Sequence, residues 1–250
     1  EAVKNADVIV HLAALVGEPI CRRDPRGCYE VNRDATRLIN DLRSPEQQIL
    51  FASTGSVYGK IQDGLCTEGS PTNPVSDYAI AKLESERMIQ AKGNYVIYRF
   101  ATAFGLSPRL RLDLLPNDFV YQALKQKIII VFEAKFRRTF AHVRDLARSF
   151  VFGIENFDTM KNQIYNVGDE SMNFTKEDIA KMIKKKIEYH LHFADFGTDP
   201  DQRNYEVDYT KMKKTGFRLE VDMDRGIDEL IKGYSMLHIP NPYSNMGHLV

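Results

Sequence analysis

The sequence predicts an α/β protein: a doubly wound parallel sheet that lacks its first strands, followed by a smaller C-terminal α/β lobe. Strand-like and helix-like segments alternate up to about residue 105, which is typical of a parallel sheet with helices on both faces. The strand-like segments are near-continuous apolar runs, as expected of strands that are buried on both faces. After residue 105 the elements are shorter and loops separate them, which indicates a second, smaller lobe.

Three strands are predicted in the first lobe, at Val8–Ala13, Gln48–Ser53 and Tyr95–Phe100. The chain opens almost directly on the first of them. A strand inside a sheet leaves N–H and C=O groups unpaired unless neighbours flank it on both sides. We therefore expect that a stretch of chain ahead of residue 1 is missing from this sequence; the alternative is a shorter protein with a different sheet edge.

Two helices connect these strands. The first, Pro25–Leu42, is predicted from a single apolar face, which is formed by Val31, Ala35, Leu38, Ile39 and Leu42. The second, Pro74–Ala91, begins with a proline, which costs little where the backbone N–H has no partner within the helix.

The second lobe is predicted from shorter segments. Its helices are Pro116–Leu124, His142–Glu155, Thr175–Lys186 and Asp224–Ser235, and its strands are Ile128–Phe132, Gln163–Val167 and His190–Phe196. Thr175 is a candidate N-cap because its hydroxyl can accept a backbone N–H. We place the domains at 1–105 and 106–250, with the strand at 163–167 a candidate to rejoin the first sheet.

Composition excludes several classes of protein. The 250 residues carry 34 Lys plus Arg against 34 Asp plus Glu, and 43% are hydrophobic, so the chain is neither disordered nor strongly charged. No apolar run approaches the ~18 residues of a membrane span, and zero net charge gives no bulk attraction for nucleic acid. Three widely spaced cysteines favour reduced thiols in a cytoplasmic protein over a disulfide framework or a zinc site.

Tyr78 and Lys82 are the first candidate catalytic pair. They stand four residues apart on a predicted helix, so their side chains share one face. An ammonium beside a phenol stabilises the phenolate, and a lowered phenol pKa gives a usable base near neutral pH. Taken alone, the pair is equally compatible with a solvated helix face.

A run of hydroxyl residues strengthens the case for an active site. The segment 51–59, Phe-Ala-Ser-Thr-Gly-Ser-Val-Tyr-Gly, follows a predicted strand and precedes Tyr78 by about 20 residues. Side chains at the carboxyl ends of parallel strands lie where open α/β sheets bind ligands. Ser53 and Thr54 are therefore candidate site residues. The alternative is that they only form a polar turn at the end of the strand.

Together these motifs resemble the extended short-chain dehydrogenase/reductase family, in its nucleotide-sugar epimerase/dehydratase branch. Four further segments resemble that family in the expected order: residues 11–14, 29–36, 98–105 and 138–145. The resemblance implies a Rossmann-like fold, with residues 1–105 a partial NAD-binding domain and residues 106–250 mainly a nucleotide-sugar-binding lobe. The glycine-rich turn that holds the cofactor diphosphate in this family is absent from the sequence, so we expect this chain alone to be inactive.

The resemblance implies roles for individual residues. Tyr78 is the acid/base, Lys82 lowers its pKa and bonds the nicotinamide ribose, and Thr54 bonds the reacting sugar oxygen. The nicotinamide half of NAD is expected against Ala13, Ala14, Val16, Asn32, Ser53, Tyr78, Lys82 and Phe100. No metal is implied, since His190 and His192 have no third ligand in view.

The implied chemistry is oxidation at C4 of a nucleotide-diphosphate sugar. In the 4,6-dehydratases of the family an Asp-Glu pair follows the catalytic Thr, whereas Gly55 and Ser56 stand there in this chain. Neither can act as an acid or base, so dehydration is disfavoured. An NAD-dependent 4-epimerase and a net 4-dehydrogenase or reductase both stay open, as does the choice between NAD and NADP.

A narrower resemblance, to a subgroup with GDP-heptose 4-dehydrogenases, rests on residues 15–21, 104–119, 136–138 and 201–205. Arg138 is the main candidate for the substrate diphosphate because a guanidinium fork matches phosphate oxygens. Further substrate candidates are Arg111, Asn117 and Arg203.

Two further expectations follow from the family. Members commonly dimerise through a four-helix bundle, so we predict a cytoplasmic homodimer that uses helices 25–42 and 74–91. The alternative is a non-catalytic relative that senses dinucleotide or acts as a scaffold. We disfavour it because both Tyr78 and Lys82 are present.

Overall fold

The computed structural model describes residues 2–59, 65–194 and 206–239. Its α-helices, in chain order, are α1 Glu18–Arg23, α2 Pro25–Tyr29, α3 Ala35–Leu42, α4 Asp77–Lys92, α5 Leu115–Lys125, α6 Val143–Glu155, α7 Phe157–Met160, α8 Lys176–Lys184, α9 Thr210–Lys214 and α10 Met223–Met236. The strands are β1 Val8–His11, β2 Gln48–Thr54, β3 Leu65–Cys66, β4 Tyr95–Phe100, β5 Thr102–Phe104, β6 Ile128–Phe132, β7 Arg137–His142, β8 Gln163–Val167, β9 Asn173–Thr175, β10 His190–Ala194 and β11 Glu206–Val207.

The largest sheet is four-stranded and fully parallel, in the order β1-β2-β4-β8. Successive side chains of a strand point to opposite faces, and the helices cover both. Ile49 and Phe51 of β2 pack with Ile89 of α4 on one face, whereas Leu50 packs with Phe150 of α6 on the other. The predicted parallel α/β fold is confirmed.

The strand at 163–167 is β8, and it pairs with β4 at the edge of this sheet. The remaining strands form small sheets: β6 with β10, β3 with β11, and β5-β7-β9. A separate core of buried residues packs around α5, α8 and α10, with Phe119, Ile179 and Ile227 among its members. The proposed division after residue 105 stays a prediction.

The helix predicted at 25–42 is interrupted. Helices α2 and α3 are joined by a wide π-helical turn at Glu30–Asp34, and α1 precedes them. On its predicted apolar face, Leu38 and Leu42 are 59% and 49% exposed. The residues that α3 buries are instead Thr36 and Asn40.

Other predicted boundaries shift by a few residues. The helix predicted from Pro74 begins at Asp77, because the Ser76 side chain accepts the Ala79 N–H and caps it. His142 caps α6 rather than starting it, and Thr175 caps α8, as predicted. The predicted strand at 190–196 ends at Ala194 within the described residues.

The cysteine prediction was wrong for two of the three residues. Cys21 of α1 and Cys28 of α2 form a disulfide with their Cα atoms 5.0 Å apart, while Cys66 is a buried free thiol. The two helices fold back on each other around Asp24, whose side chain accepts the Gly27 N–H at the start of α2. That short turn brings the two fully buried sulfur atoms together.

Candidate active site

Strand β2 ends at the predicted hydroxyl run. Thr54 is its last residue, and its Oγ1 accepts the Ser56 N–H at 3.1 Å. That bond caps a single 3₁₀ turn over Gly55–Tyr58. Gly59 closes the turn at φ 69°, and an added Cβ there would lie 1.6 Å from the Asn73 carbonyl oxygen. The segment after Thr54 is therefore held against the chain that leads into α4.

Lys82 lies on the buried face of α4 and reaches the same strand. Its Nζ donates to the Ala52 carbonyl at 3.0 Å and lies 4.7 Å from the centre of the Phe51 ring. The side chain is 1% exposed. Burial lowers the pKa of its ammonium to about 8, although the nearby Glu86 carboxylate opposes that shift.

Tyr78 lies in the first turn of α4 and is only partly buried. It precedes Lys82 by about one helical turn, so the two residues lie on the same side of α4. The sequence-predicted helix therefore carries both residues on one face, with Lys82 anchored two residues before Thr54.

The loop after β1 is shaped by Asn32. This buried side chain accepts the Leu15 N–H and donates to the Leu15 carbonyl, both at 2.9 Å. On either side of Leu15, Ala13 and Val16 are exposed and Ala14 is half-buried. Of the predicted cofactor residues, these three therefore line an accessible loop, whereas Asn32 supports the loop from behind.

Two other predicted cofactor residues belong to the strand ends. Ser53 is buried and Phe100 partly buried, at neighbouring levels of β2 and β4. His11, at the end of β1, places its Nε2 at 2.9 Å from the Thr36 Oγ1. Burial, helped by the Lys82 charge, lowers the pKa of His11 to about 4, so this imidazole is neutral at pH 7.

The predicted substrate residues are in different environments. Arg111 pairs with Asp113 and donates to the Val16 carbonyl at 3.3 Å, which brings it to the loop after β1. Asn117 is buried, and its amide binds the Gly105 N–H and the Arg111 carbonyl, both at 2.9 Å. The amide thus supports the backbone of Arg111.

Arg138 lies on β7, where it is 8% exposed and donates to the Arg137 carbonyl at 3.0 Å. Arg203 lies outside the described residues. Among the substrate candidates that the structure describes, Arg111 contacts the predicted cofactor loop, through the Val16 carbonyl.

A buried polar row beside this site was not predicted from the sequence. Ser53, Arg99 and Asn166 stand side by side on β2, β4 and β8. The Arg99 guanidinium binds both oxygens of Glu86 on α4, the shortest distance being 2.7 Å. An arginine inside the otherwise uncharged strand Tyr95–Phe100 was the signal, because a buried charge needs a partner.

Residues 2–59, 65–194 and 206–239 contain neither a metal-binding cluster nor a membrane-spanning helix. No three or more His, Cys, Asp or Glu side chains are grouped to hold a metal ion in that part of the chain. Nor does any helix there have the length and apolarity needed to cross a membrane.

A model of the NAD dependent epimerase/dehydratase family matches residues 1–168. The chain belongs to the NAD-dependent epimerase/dehydratase family. Its relatives carry different activities. UDP-glucose 4-epimerase 2 of Arabidopsis thaliana is 25% identical over 268 residues, covering 95% of this chain and 74% of the relative. UDP-N-acetyl-alpha-D-glucosaminuronate decarboxylase of Bacillus cytotoxicus is 25% identical over 256 residues, covering 94% and 78%.

Solved structures confirm the fold of the family. The crystal structure of UDP-glucuronic acid 4-epimerase from Bacillus cereus, with UDP-glucuronic acid and NAD, matches with a TM-score of 0.83 at 22% identity. The match covers 95% of this chain and 78% of that one. RMD from Pseudomonas aeruginosa, complexed with NADPH, matches with a TM-score of 0.79 at 18% identity, covering 91% and 81%.

Proposed function

We propose that the protein is an NAD-dependent oxidoreductase or epimerase that acts at C4 of a nucleotide-diphosphate sugar. The observation that carries the proposal is the attachment of Lys82 to β2 through the Ala52 carbonyl. This bond fixes the helix of Tyr78 next to the strand end that bears Thr54. A phenol, an ammonium and a hydroxyl at one strand end are suited to moving the proton of a secondary alcohol.

In this proposal each residue acts on a stated atom. The Lys82 ammonium holds Tyr78 as the phenolate, which accepts the proton of the sugar C4 hydroxyl and becomes the neutral phenol. Thr54 donates its hydroxyl hydrogen to the sugar oxygen and so orients it. Tyr78 is only partly buried in the first turn of α4.

The residues present fit the nicotinamide half of NAD. The exposed loop of Ala13 and Val16 offers an apolar surface next to the strand ends, and the buried Asn32 fixes that loop through Leu15. The bound cofactor would supply the acceptor for the C4 hydride. Members of this family are similar to this chain and carry NAD in their solved structures, which supports the same cofactor here.

The turn after Thr54 argues against dehydration. Gly55 and Ser56 follow it, and the Ser56 N–H is already bound by the Thr54 oxygen. Removing water across C5 and C6 needs an acid and a base at this place, and neither residue provides one. We therefore favour 4-epimerisation or net 4-oxidation or reduction over 4,6-dehydration.

We also propose a homodimer that uses the helices at 25–42 and 74–91. Leu38 and Leu42 support it, because both are about half exposed on one face of α3.

Arg138 and Arg203 stay candidates for the substrate diphosphate, and the GDP-heptose subgroup stays a prediction from the sequence.

The proposal is tested on the intact protein. It should release NAD(H) on denaturation and convert at least one of UDP-glucose, UDP-glucuronic acid or a GDP-heptose to its 4-epimer or 4-keto product, detected by mass spectrometry and NMR. Tyr78→Phe should lower kcat at least about 100-fold with cofactor still bound. Tyr121→Phe, a change on α5, is the matched control.

Two results would count against the proposal. Undiminished turnover by Tyr78→Phe would exclude Tyr78 as the acid/base. Stoichiometric cofactor without turnover of any nucleotide sugar would favour the alternative, a non-catalytic relative that senses dinucleotide or acts as a scaffold.

A further inference from the structure

We propose that Glu86 is a positioning residue of this active site, which joins the helix of Tyr78 and Lys82 to the strand end of Thr54 and balances the Lys82 charge. The inference rests on the proposed function and deepens it. Glu86 had no role predicted from the sequence. In this inference it holds the helix of Tyr78 and Lys82 against the strand end of Thr54.

The first support is the position of Glu86 on α4. It stands one helical turn beyond Lys82, as Lys82 stands one turn beyond Tyr78, so the three side chains follow one face of the helix. The Glu86 side chain is fully buried. A carboxylate is costly in such a place unless its charge and its lone pairs are satisfied.

The second support is the set of partners that satisfy it. Arg99 binds the carboxylate with two nitrogens, Nη2 to Oε2 at 2.7 Å and Nε to Oε1 at 3.1 Å. Ser53 donates its hydroxyl to the same Oε1. Because Ser53 directly precedes Thr54, the carboxylate fastens the end of β2 to α4 from within the protein.

The third support is that Arg99 also reaches the turn after Thr54. Its guanidinium lies 5.0 Å from the centre of the Tyr58 ring, and the Tyr58 hydroxyl donates to the Asn166 Oδ1 at 2.6 Å. One buried pair thus contacts the catalytic helix, the strand end before Thr54 and the turn after it. Glu84, two residues earlier, serves no such purpose, since it is 41% exposed and pairs with Arg33.

The carboxylate also acts on Lys82 by its charge. Within the described residues, the titratable groups that interact with Lys82 include Glu86 on its own helix and His11 on β1. Arg99 of β4 is bound to Glu86, and Tyr78 stands one helical turn before Lys82. His11 is neutral at pH 7. The negative charge of Glu86 therefore offsets part of the burial that favours an uncharged Lys82, and it keeps the ammonium available to Tyr78.

The experiment compares Glu86→Gln, Glu86→Asp and the control Glu84→Gln in the intact, cofactor-loaded protein. The amide keeps the shape of the side chain but loses its charge, and it leaves Arg99 uncompensated. In Glu86→Gln the Lys82 titration, followed by NMR of ¹³C-labelled lysine and assigned with Lys82→Met, should move to lower pH by about one unit. The alkaline limb of kcat should move with it, and KM should change less than about threefold.

Glu86→Asp distinguishes the effect of the carboxylate charge from the effect of the side-chain length. It keeps the negative charge, so the Lys82 titration should stay near its wild-type midpoint, while the shorter side chain cannot hold Ser53 and Arg99 together and kcat should fall about tenfold. Glu86→Gln/Arg99→Met removes both charges. In this double variant the midpoint of the Lys82 titration should move part of the way back to its wild-type pH. This double variant also serves if Glu86→Gln alone fails to fold.

The outcomes decide the inference separately from the proposed function. An unchanged Lys82 titration in Glu86→Gln, or a loss of stability in all Glu86 variants with kcat and its pH profile intact, would overturn it and leave Glu86 a structural residue. If the wild-type protein turned over no nucleotide sugar, the proposed function would fall. The lysine titration would still show whether Glu86 controls the charge of Lys82.

Discussion

The Lys82 Nζ donates to the Ala52 carbonyl at 3.0 Å, across the junction between helix α4 and strand β2. The bond consumes one of the three ammonium hydrogens and directs the side chain along the carboxyl end of the sheet. Burial of the side chain takes the charge out of water, which lowers the pKa of Lys82 to about 8. The bond to Ala52 therefore sets the position of this side chain, and its burial sets the charge.

We expect Lys82→Met to lower kcat at least about 100-fold, because the phenolate of Tyr78 loses its cation. In the wild-type protein, activity that needs the ammonium should decline as the pH rises through about 8, where Lys82 loses its proton. Steady-state rates between pH 6 and pH 10 measure both effects. Lys92→Met is the control, since Lys92 binds the Asn40 and Arg43 carbonyls at the far end of α4.

His11 should make the protein less stable in acid. Its pKa is about 4 in the folded chain against 6.5 for an exposed imidazole, so the unfolded chain binds more protons between these two values. Its contribution to the free energy of unfolding is fully present above pH 6.5 and is lost as the pH falls through 4, by up to about 3 kcal/mol. Urea titrations of the wild-type protein and His11→Gln at pH 7 and pH 4 measure the difference.

The exposed His192 provides the comparison for that experiment. His192→Gln should keep the acid sensitivity of the wild-type protein, whereas His11→Gln should reduce it. Equal acid sensitivity in the wild type and His11→Gln would contradict a neutral, buried His11.

The Cys21–Cys28 disulfide should be detectable without a structure. Denatured, unreduced protein should show one free thiol, that of Cys66, and a disulfide-linked peptide pair in a digest. Reduction with a phosphine should lower the free energy of unfolding by about 2 kcal/mol, the value expected for so short a loop. Three reactive thiols in the unreduced protein would restore the original prediction of reduced cysteines.

Charges on the outer face of α3 should disrupt the proposed dimer. Leu38→Glu/Leu42→Glu places two carboxylates where two half-exposed leucines stand, and such groups are costly in a buried interface. Sedimentation should shift from dimer to monomer. Val151→Glu is the control because Val151 is similarly exposed, 56%, but lies on α6 across the sheet. Identical sedimentation of all three proteins would exclude this face.

Long, regular elements could be predicted from the sequence because their patterns are local. Strands Tyr95–Phe100, Ile128–Phe132 and Gln163–Val167 were predicted with the bounds that the structure has. Strands of two or three residues, such as Leu65–Cys66, were missed because two residues cannot show a period. Leu38 and Leu42 were predicted on one apolar face of a helix, and such a face alone cannot tell a core from an interface.

The site was predictable only in part for a similar reason. Tyr78, Lys82 and Thr54 lie in short motifs, so their side chains could be assigned before their surroundings were known. Glu86 and Arg99 are 13 residues apart in the chain, and nothing local links them. Their pairing becomes evident only once α4 lies across β4.

The π-helical turn at Glu30–Asp34 fixes the angular position, around the helix axis, of every residue that follows it in this helix. Its Asn32 carbonyl receives the Thr36 and Ser85 hydroxyls at 2.9 and 2.8 Å, while the Asn32 side chain binds Leu15. Deleting one residue here would turn the downstream helix by about 100° relative to the upstream part. Homologues of different length in this segment therefore cannot be aligned column by column, and equivalent side chains must be identified by their angular position around the axis.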